Sequence, residues 1–205
     1  MTENKIRIAV LVSGGGTNLQ ALIDAEKKGI LKSGSIKLVL SNKADAYALT
    51  RAKQNDIKTA VVLKKDYSTR EAFDDAIMAI LEKEKIDLIV LAGYLAILTP
   101  KFTSRYEKRI INVHPSLIPS FCGDGFYGLK VHEAALAKGV KVTGATVHYV
   151  NEIPDGGEII LQKAVSVKEG DTPEILQKRV MRLAEWKILP KAAELVSESM
   201  LRNQN

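Results

Sequence analysis

Short apolar runs alternate with longer segments of helical period throughout the first half of this chain. The runs consist almost entirely of Ile, Val, Leu and Ala, so a strand formed by any of them would carry apolar side chains on both faces. Strands of that kind are typical of a parallel sheet that is covered by helices on its two sides. Five such strands are predicted, at residues 6–12, 36–41, 59–62, 88–92 and 110–113.

Segments with the apolar spacing of an amphipathic helix separate these strands. In one of them, Phe73, Ile77 and Leu81 recur at helical spacing, and charged residues lie at other positions. Repeated strand–helix–strand units favour right-handed crossovers, so the sequence predicts an α/β fold with an open, mostly parallel twisted sheet flanked by helices. Helices are expected at residues 18–28, 44–55 and 69–85.

The chain changes character after residue 113. The stretch HPSLIPSFCGDGFYG, residues 114–128, contains two prolines and three glycines, which excludes long regular structure there. Its glycines and aromatic residues would suit a mobile lid. Two further strands are expected after it and would bring the sheet to about seven strands. The elements expected next are a helix at 130–138 and strands at 145–150 and 158–167.

The last part of the sequence predicts two helices. Asp171 or Thr172 can cap the first of them, with Pro173 in its first turn. This helix is expected to run to about residue 188, and Pro190 is expected to separate it from the last helix. The sequence contains no obvious linker, repeat or low-complexity tract. A single domain over residues 1–205 is therefore expected, with one half at about 1–110 and the other at about 111–205.

Composition limits the environment and the partners that we expect. Apolar runs are far shorter than the ~20 residues of a membrane helix, and MTENKIRIAVLV lacks the features of a signal peptide. The single cysteine, Cys122, cannot form an internal disulfide, which fits a cytoplasmic protein. The net charge of +6 comes from basic residues mixed with acidic ones. We therefore expect small anionic substrates, and neither nucleic acid nor a membrane as a partner.

The stretch VLVSGGGTNLQALID, residues 10–24, ends a strand in three glycines and begins a helix at once. The free N–H groups and the dipole of a helix N-terminus attract anions, and glycine lets a ligand approach the backbone. Gly15, Gly16, Thr17 and Asn18 are therefore predicted to hold an anion, the alternative being a tight turn that serves packing alone.

The type of anion follows from what this turn lacks. No Lys-Ser or Lys-Thr pair follows the glycines, so the turn is not a Walker motif. Leu19 stands where a dinucleotide fingerprint has its third glycine, and the second strand ends in LVLSNK without the acid that would bind a ribose. The sequence therefore predicts a single phosphate on a small substrate.

Two polar residues lie within or directly after the apolar strand RIINV. Asn112 and His114 lie two positions apart, so their side chains point to the same side of a strand. An amide donor beside an imidazole, at the carboxyl end of a buried strand, suits the stabilisation of a developing oxyanion. Asp155, in the turn IPDGG, would orient and charge such a histidine if it lay nearby. Asp-Gly is also an ordinary turn signal, and the sequence leaves the contact open.

The remaining histidines and the cysteine allow other interpretations. His148 alternates with its neighbours along a strand, so it either enters the same cleft or lies on a half-exposed face of the sheet. His132 is expected on the surface, because charged residues surround it in GLKVHEAALAKG. Cys122 has no histidine or cysteine at metal-ligand spacing, so neither a zinc site nor a cysteine nucleophile is expected.

Five segments together resemble the phosphoribosylglycinamide formyltransferases, folate-dependent enzymes of purine biosynthesis. These segments are LVSGGGTNLQALID, LAGYLAIL, INVHPSLIP, TGATVHYVNEIPDGGEIILQ and AEWKILP. The resemblance extends from about residue 6 to residue 190. It implies the formyltransferase type of fold, with a Rossmann-like N-terminal half that binds the phosphoribosyl group and a C-terminal half that binds folate and carries the catalytic residues.

The resemblance also implies a reaction and a role for particular residues. The formyl group of 10-formyltetrahydrofolate would pass to the amine of phosphoribosylglycinamide without a metal, in a monomer or homodimer. Asn112 and protonated His114 would stabilise the oxyanion, and Asp155 would orient and charge His114. The substrate would contact Gly15, Gly16, Thr17, Asn18, Arg182 and Glu185, the last two sharing a helix face. Folate would contact Arg70, Leu95, Ala96, Ile97, Leu98, Asn112, His148, Asn151, Glu152, Ile153, Pro154 and Asp155.

The chain departs from the pattern of these enzymes at Leu95-Ala96, where they have Met-Arg. A contact to the pterin through the backbone would survive this change. Three other functions remain open at this point. The first is formyl transfer to another amine, as in the methionyl-tRNA enzymes, and it would need a further RNA-binding domain. The second is a nicotinamide-dependent reaction. The third is non-catalytic nucleotide binding on a Rossmann-like scaffold.

Overall fold

The computed structural model describes residues 5–203 and contains seven strands in one sheet. In chain order they are β1 (Ile6–Val12), β2 (Gly34–Ser41), β3 (Lys58–Val61), β4 (Leu88–Leu91), β5 (Ile110–His114), β6 (Val142–Tyr149) and β7 (Ile159–Ser166). Their spatial order is β3-β2-β1-β4-β5-β6-β7. The first five strands pair in parallel, whereas β6 and β7 are antiparallel to their neighbours. The predicted mostly parallel sheet is confirmed.

Seven α-helices connect the strands and cover the sheet in the described part of the chain. They are α1 (Thr17–Lys27), α2 (Tyr47–Lys53), α3 (Arg70–Lys83), α4 (Pro100–Arg105), α5 (Leu129–Lys138), α6 (Pro173–Val180) and α7 (Trp186–Arg202). A 3₁₀ turn at Lys64–Asp66 and the short α4 were not predicted. Thr99 nevertheless signals α4, because its hydroxyl caps the helix and Pro100 follows it in the first turn. Of the two predicted caps for α6, Thr172 is the one whose side chain accepts a backbone N–H of the first turn, that of Ile175.

The sheet separates two apolar layers. Along β1 the side chains alternate between them, since Ile8 and Val10 belong to the layer that α1 and α7 cover, while Ala9 and Leu11 belong to the layer that α3 covers. Nearly all residues of this strand are buried. Burial on both faces explains the continuous apolar runs in the sequence.

The expectation that Pro190 separates two C-terminal helices is wrong. Pro190 is buried inside α7, and the irregularity lies before it, where a π-helical turn at Met181–Glu185 joins α6 to α7. A proline within a helix costs about 3 kcal/mol, through a lost hydrogen bond and a steric clash. Burial of Ile188, Leu189 and Ala192 on the same helix opposes that cost, so the chain continues as a helix through the proline.

Gly144 in β6 provides a test of the tight packing around the last strands. A Cβ at this position would lie 2.1 Å from the carbonyl oxygen of Lys163 and 2.8 Å from Cδ2 of Leu117. We expect Gly144→Ala to lower the free energy of unfolding by about 3 kcal/mol, because the backbone of β7 must move away. Urea denaturation measures this loss. Gly14→Ala, where an added Cβ meets no atom within 4 Å, is the control and should change stability by less than about 1 kcal/mol.

Candidate active site

A cleft of about 620 Å³ opens at the carboxyl ends of β1, β4 and β5. This edge of a parallel sheet is where ligands bind in open α/β folds. The start of α1, the segment after β4 and the end of β5 form its floor, and the loop before α5 covers one side. Residues that line it include Thr17, Asn18, Leu95, Ala96, Ile97, Asn112, His114, Pro154, Asp155 and Glu185. The cleft therefore brings together many of the predicted site residues.

Of the three glycines before α1, Gly16 is tightly packed, whereas Gly14 and Gly15 are not. Gly16 adopts a left-handed conformation with φ of 72°, and an added Cβ would lie 2.6 Å from Cβ of Ala48, so packing and turn geometry both require glycine there. Gly15 has open space around it. No side chain caps the N-terminus of α1, and no acidic residue lies in its first turn. The first turn of α1 thus offers free backbone donors and a positive dipole to an anion.

His114 and Asp155 lie in contact although 41 residues separate them in the chain. The Nδ1 atom of His114 is 3.4 Å from Oδ2 of Asp155, and its Nε2 atom is 2.8 Å from the carbonyl oxygen of Phe121. The backbone N–H of Gly123 donates to the same Oδ2 of Asp155 at 2.9 Å. The main chain of the loop before α5 therefore binds both members of the pair.

The protonation of this pair reflects a competition between burial and neighbours. Burial lowers the pKa of His114 below its ordinary value, and the nearby Asp155 and the Phe121 carbonyl only partly oppose this. Burial acts to raise the pKa of Asp155, but the contacts of its carboxylate with neighbouring groups, including His114 and the Gly123 amide, outweigh it and hold the pKa below its ordinary value. At neutral pH Asp155 is ionised, and the imidazolium form of His114 is a minority form before any substrate binds.

His148 enters the same cluster, which decides between its two sequence interpretations. It is 1% exposed and pairs directly with Asn112 across β5 and β6. Its Nε2 atom is 3.2 Å from Nδ2 of Asn112 and 3.4 Å from Oδ1 of Asp155. Asn112, His114, His148 and Asp155 thus form one polar group at the floor of the cleft.

His132 is not on the surface, and that expectation is wrong. The residue is 0% exposed, lines the cleft, and neither ring nitrogen has a hydrogen-bond partner within the described residues. Burial lowers its pKa to about 4, with a smaller contribution from the charge of His114. The prediction failed because His132 has charged neighbours in the sequence. Lys130 and Glu133 face solvent, whereas Val131 and His132 lie on the buried face of the same helix.

Glu185 closes the end of the cleft near the glycine turn. It lies in the π-helical turn, is 6% exposed, and accepts a hydrogen bond of 2.7 Å from Nδ2 of Asn18. Burial raises the pKa of its carboxyl to about 7, although the hydrogen bond from Asn18 acts in the opposite direction. Arg182, by contrast, is exposed and does not line the cleft. The π-helical turn therefore places Glu185 and Arg182 in different environments.

The raised pKa of Glu185 predicts how stability depends on pH. The folded protein retains a proton on this carboxyl between about pH 4.5 and pH 7 that the unfolded chain releases, so the free energy of unfolding falls as pH rises through that range. We expect Glu185→Gln to raise the free energy of unfolding by about 3 kcal/mol at pH 8 and by little at pH 4. Urea denaturation at both pH values measures this. The prediction fails if the gain is the same at both pH values, and Glu198→Gln, at an exposed position of α7, serves as the matched control.

The residues predicted to contact folate lie mainly around the mouth of the cleft. Leu95 and Ile97 are exposed there, and Arg70 donates to the carbonyl oxygen of Ile97 at 2.9 Å. The segment at 151–154 is exposed, Pro154 lines the cleft, and Leu98 is buried beneath the mouth. Sequence reasoning missed Gln177 and Met181, which line the cleft from the C-terminal helices.

The described residues, 5–203, lack two kinds of feature. They hold no cluster of three or more His, Cys, Asp and Glu side chains with the arrangement of a metal site. None of their helices is long and apolar enough to cross a bilayer.

Comparisons with known proteins agree with one another. A model of the family described as Formyl transferase matches residues 6–193. The phosphoribosylglycinamide formyltransferase of Haemophilus influenzae is 46% identical over 196 residues, which cover 96% of this chain and 89% of that protein. The human trifunctional purine biosynthetic protein adenosine-3 is 46% identical over 200 residues, and this chain, matched over 98% of its length, spans only 19% of that protein.

A solved structure agrees as well. Glycinamide ribonucleotide transformylase 1 from Symbiobacterium toebii superimposes with a TM-score of 0.90 at 41% sequence identity, covering 97% of this chain and 90% of that one.

Proposed function

This chain belongs to the formyl transferase family, and from that premise we propose that it transfers the formyl group of 10-formyltetrahydrofolate to the amine of 5'-phosphoribosylglycinamide. The products are phosphoribosyl-N-formylglycinamide and tetrahydrofolate, in purine biosynthesis. The observation that carries this proposal is the contact of His114 with Asp155, beside Asn112, in a cleft that also includes the glycine turn. We propose a cytoplasmic location as well, with small molecules as the partners. The chain would then form a single domain whose two halves hold the two substrates.

The phosphoribosyl group of the acceptor occupies the end of the cleft at the glycine turn. Its phosphate accepts from the free N–H groups of α1 and from the side chains of Thr17 and Asn18. Glu185, which Asn18 holds, faces the glycinamide part of the substrate. The raised pKa of Glu185 suits a group that ionises when N–H donors of a substrate approach its carboxyl.

The formyl donor occupies the opposite end of the cleft. Leu95 and Ile97 offer apolar surface to its ring systems, and the segment at 151–155 offers backbone donors and acceptors. Arg70 carries a positive charge at the mouth, next to the Ile97 carbonyl, where carboxylates of the donor reach solvent. The formyl carbon then lies between the acceptor amine and the polar group of Asn112, His114 and Asp155.

The reaction proceeds by attack of the neutral amine on the formyl carbon. Negative charge develops on the formyl oxygen, and an N–H of Asn112 stabilises it together with Nε2–H of His114, which exchanges the carbonyl of Phe121 for this oxygen. The same charge favours the imidazolium form of His114, so its pKa rises as the intermediate forms. Asp155 balances the imidazolium and fixes the ring. The C–N bond to N10 of the donor breaks as the proton lost by the amine reaches N10, through His114 or an ordered water.

A direct assay with both substrates tests the proposal. The purified chain is incubated with 10-formyltetrahydrofolate and phosphoribosylglycinamide, and the absorbance of the deformylated folate is followed. We expect turnover that requires both substrates and yields the formylated glycinamide by mass spectrometry. Absence of transfer, or faster transfer to the amine of methionyl-tRNA, would overturn the assignment of this acceptor.

A further inference from the structure

The hydrogen bonds of His148 determine which of its ring nitrogens carries the proton. Its Nδ1 atom lies 2.7 Å from the carbonyl oxygen of Tyr149, and a carbonyl oxygen can only accept. Nδ1 therefore carries the proton in the tautomer that fits this bond. The other nitrogen, Nε2, then presents a lone pair to the cluster at the floor of the cleft.

The lone pair on Nε2 determines which way the amide of Asn112 faces. The nearest polar atom to it is Nδ2 of Asn112, at 3.2 Å, whereas Oδ1 of Asp155 is 3.4 Å away and cannot donate when ionised. Only the NH₂ end of the amide matches an acceptor, so the oxygen end is excluded from this position. One N–H of Asn112 is used in this bond, and the second remains available to the cleft.

We propose that His148 is a positioning residue for formyl transfer, because the Nδ1–H tautomer of its ring fixes the amide of Asn112 with an N–H available to the formyl oxygen. The inference rests on the proposed function. His148 is 1% exposed and Asn112 is its direct cross-strand partner, so the buried ring of His148 is held against the amide of Asn112. Without this bond the amide of Asn112 rotates freely, and its oxygen faces the oxyanion in a large share of molecules.

Two substitutions of the same chemical type separate this role from simple packing. The amide of His148→Gln reaches the position of Nε2 and can accept from Asn112, whereas the shorter amide of His148→Asn reaches only the position of Nδ1. We expect kcat of His148→Asn to fall by about 10²-fold, as for a misplaced catalytic group, with KM for both substrates within threefold of wild type. We expect kcat of His148→Gln to exceed that of His148→Asn by about tenfold.

A double-mutant cycle tests whether the effect passes through Asn112. In the background of Asn112→Ala, His148→Asn should lower kcat by less than about threefold, because the amide that it orients is already absent. The proposal is overturned if His148→Asn costs the same factor in both backgrounds. It is also overturned if the factor disappears only in the background of Asp155→Asn, since His148 would then act through the carboxylate.

Controls keep a failure of this inference distinct from a failure of the proposed function. If the wild-type chain transfers formyl groups and the cycle is additive, only the role of His148 is rejected. Inactive wild-type protein rejects the function itself. Thr143→Val changes a buried side chain on the same strand whose hydroxyl has no hydrogen-bond partner among residues 5–203, and it should leave kcat unchanged. Thermal unfolding of each variant identifies any that fail to fold, and His148→Gln retains the size and polarity needed for folding.

Discussion

Asp155→Asn is expected to lower kcat by about 10²- to 10³-fold while the protein remains folded. The carboxylate lies 3.4 Å from Nδ1 of His114 and is the main influence that opposes the effect of burial on that histidine. Asparagine retains the size of the side chain but removes its charge, so the pKa of His114 falls further and the imidazolium becomes scarce. Steady-state kinetics with both substrates at saturation measure the loss, and circular dichroism checks the fold.

The pH dependence of the same variant adds a second readout. The imidazolium form of His114 is lost as pH rises through its pKa, and that pKa is lower when residue 155 carries no charge. The fall in residual activity on the alkaline side should therefore occur at lower pH in Asp155→Asn than in the wild type. Near-normal turnover, or an unchanged pH profile, would contradict the assignment of Asp155 as the partner of His114.

Asn112→Ala is the second variant for which we expect a large effect. Loss of one preorganised donor to an oxyanion lowers kcat by about 10²- to 10³-fold in other acyl-transfer enzymes. The bond strengthens only as charge develops, so KM for both substrates should stay within about threefold of wild type. Rapid-quench measurements of a single turnover distinguish a slower chemical step from slower product release.

A matched control uses an asparagine far from the cleft. Asn55 lies at the end of α2, where its side chain contacts Lys27 and the backbone of Arg51. Asn55→Ala should leave kcat unchanged. If Asn112→Ala raised KM and left kcat alone, Asn112 would contribute to binding and not to the chemical step.

The parallel sheet could be predicted because strands that are buried on both faces consist almost entirely of apolar residues. Ile8 to Val12 are apolar in succession, and only a strand covered on both sides requires that pattern. Pro190 shows where such local reasoning fails. Its intrinsic preference predicts a break, but the tertiary contacts of α7 decide the outcome, and no local pattern reveals the π-helical turn that precedes it.

The candidate site divides in a similar way. Asn112 and His114 could be selected as candidates from the sequence. Polar side chains at the end of a buried apolar strand cost free energy unless they have partners, so their presence there indicates a site. The contact between His114 and Asp155 depends on how β6 and its following turn return to β5, which spacing along the chain does not encode. His132 was missed because one helix face was buried among charged neighbours, and only the packing of α5 reveals which face that is.

The loop before α5 holds His114 and Asp155 through the carbonyl of Phe121 and the amide of Gly123, both of them main-chain groups. Exchanging the side chain of Phe121 or Cys122 would leave the two bonds possible, whereas adding or deleting one residue would shift them out of register. Substrates that bind His114 or Asp155 must replace these hydrogen bonds to the loop. Their measured affinity is therefore the difference between the contacts they form with the protein and the contacts they displace. We therefore expect this loop to tolerate an exchange of side chains better than a change of length.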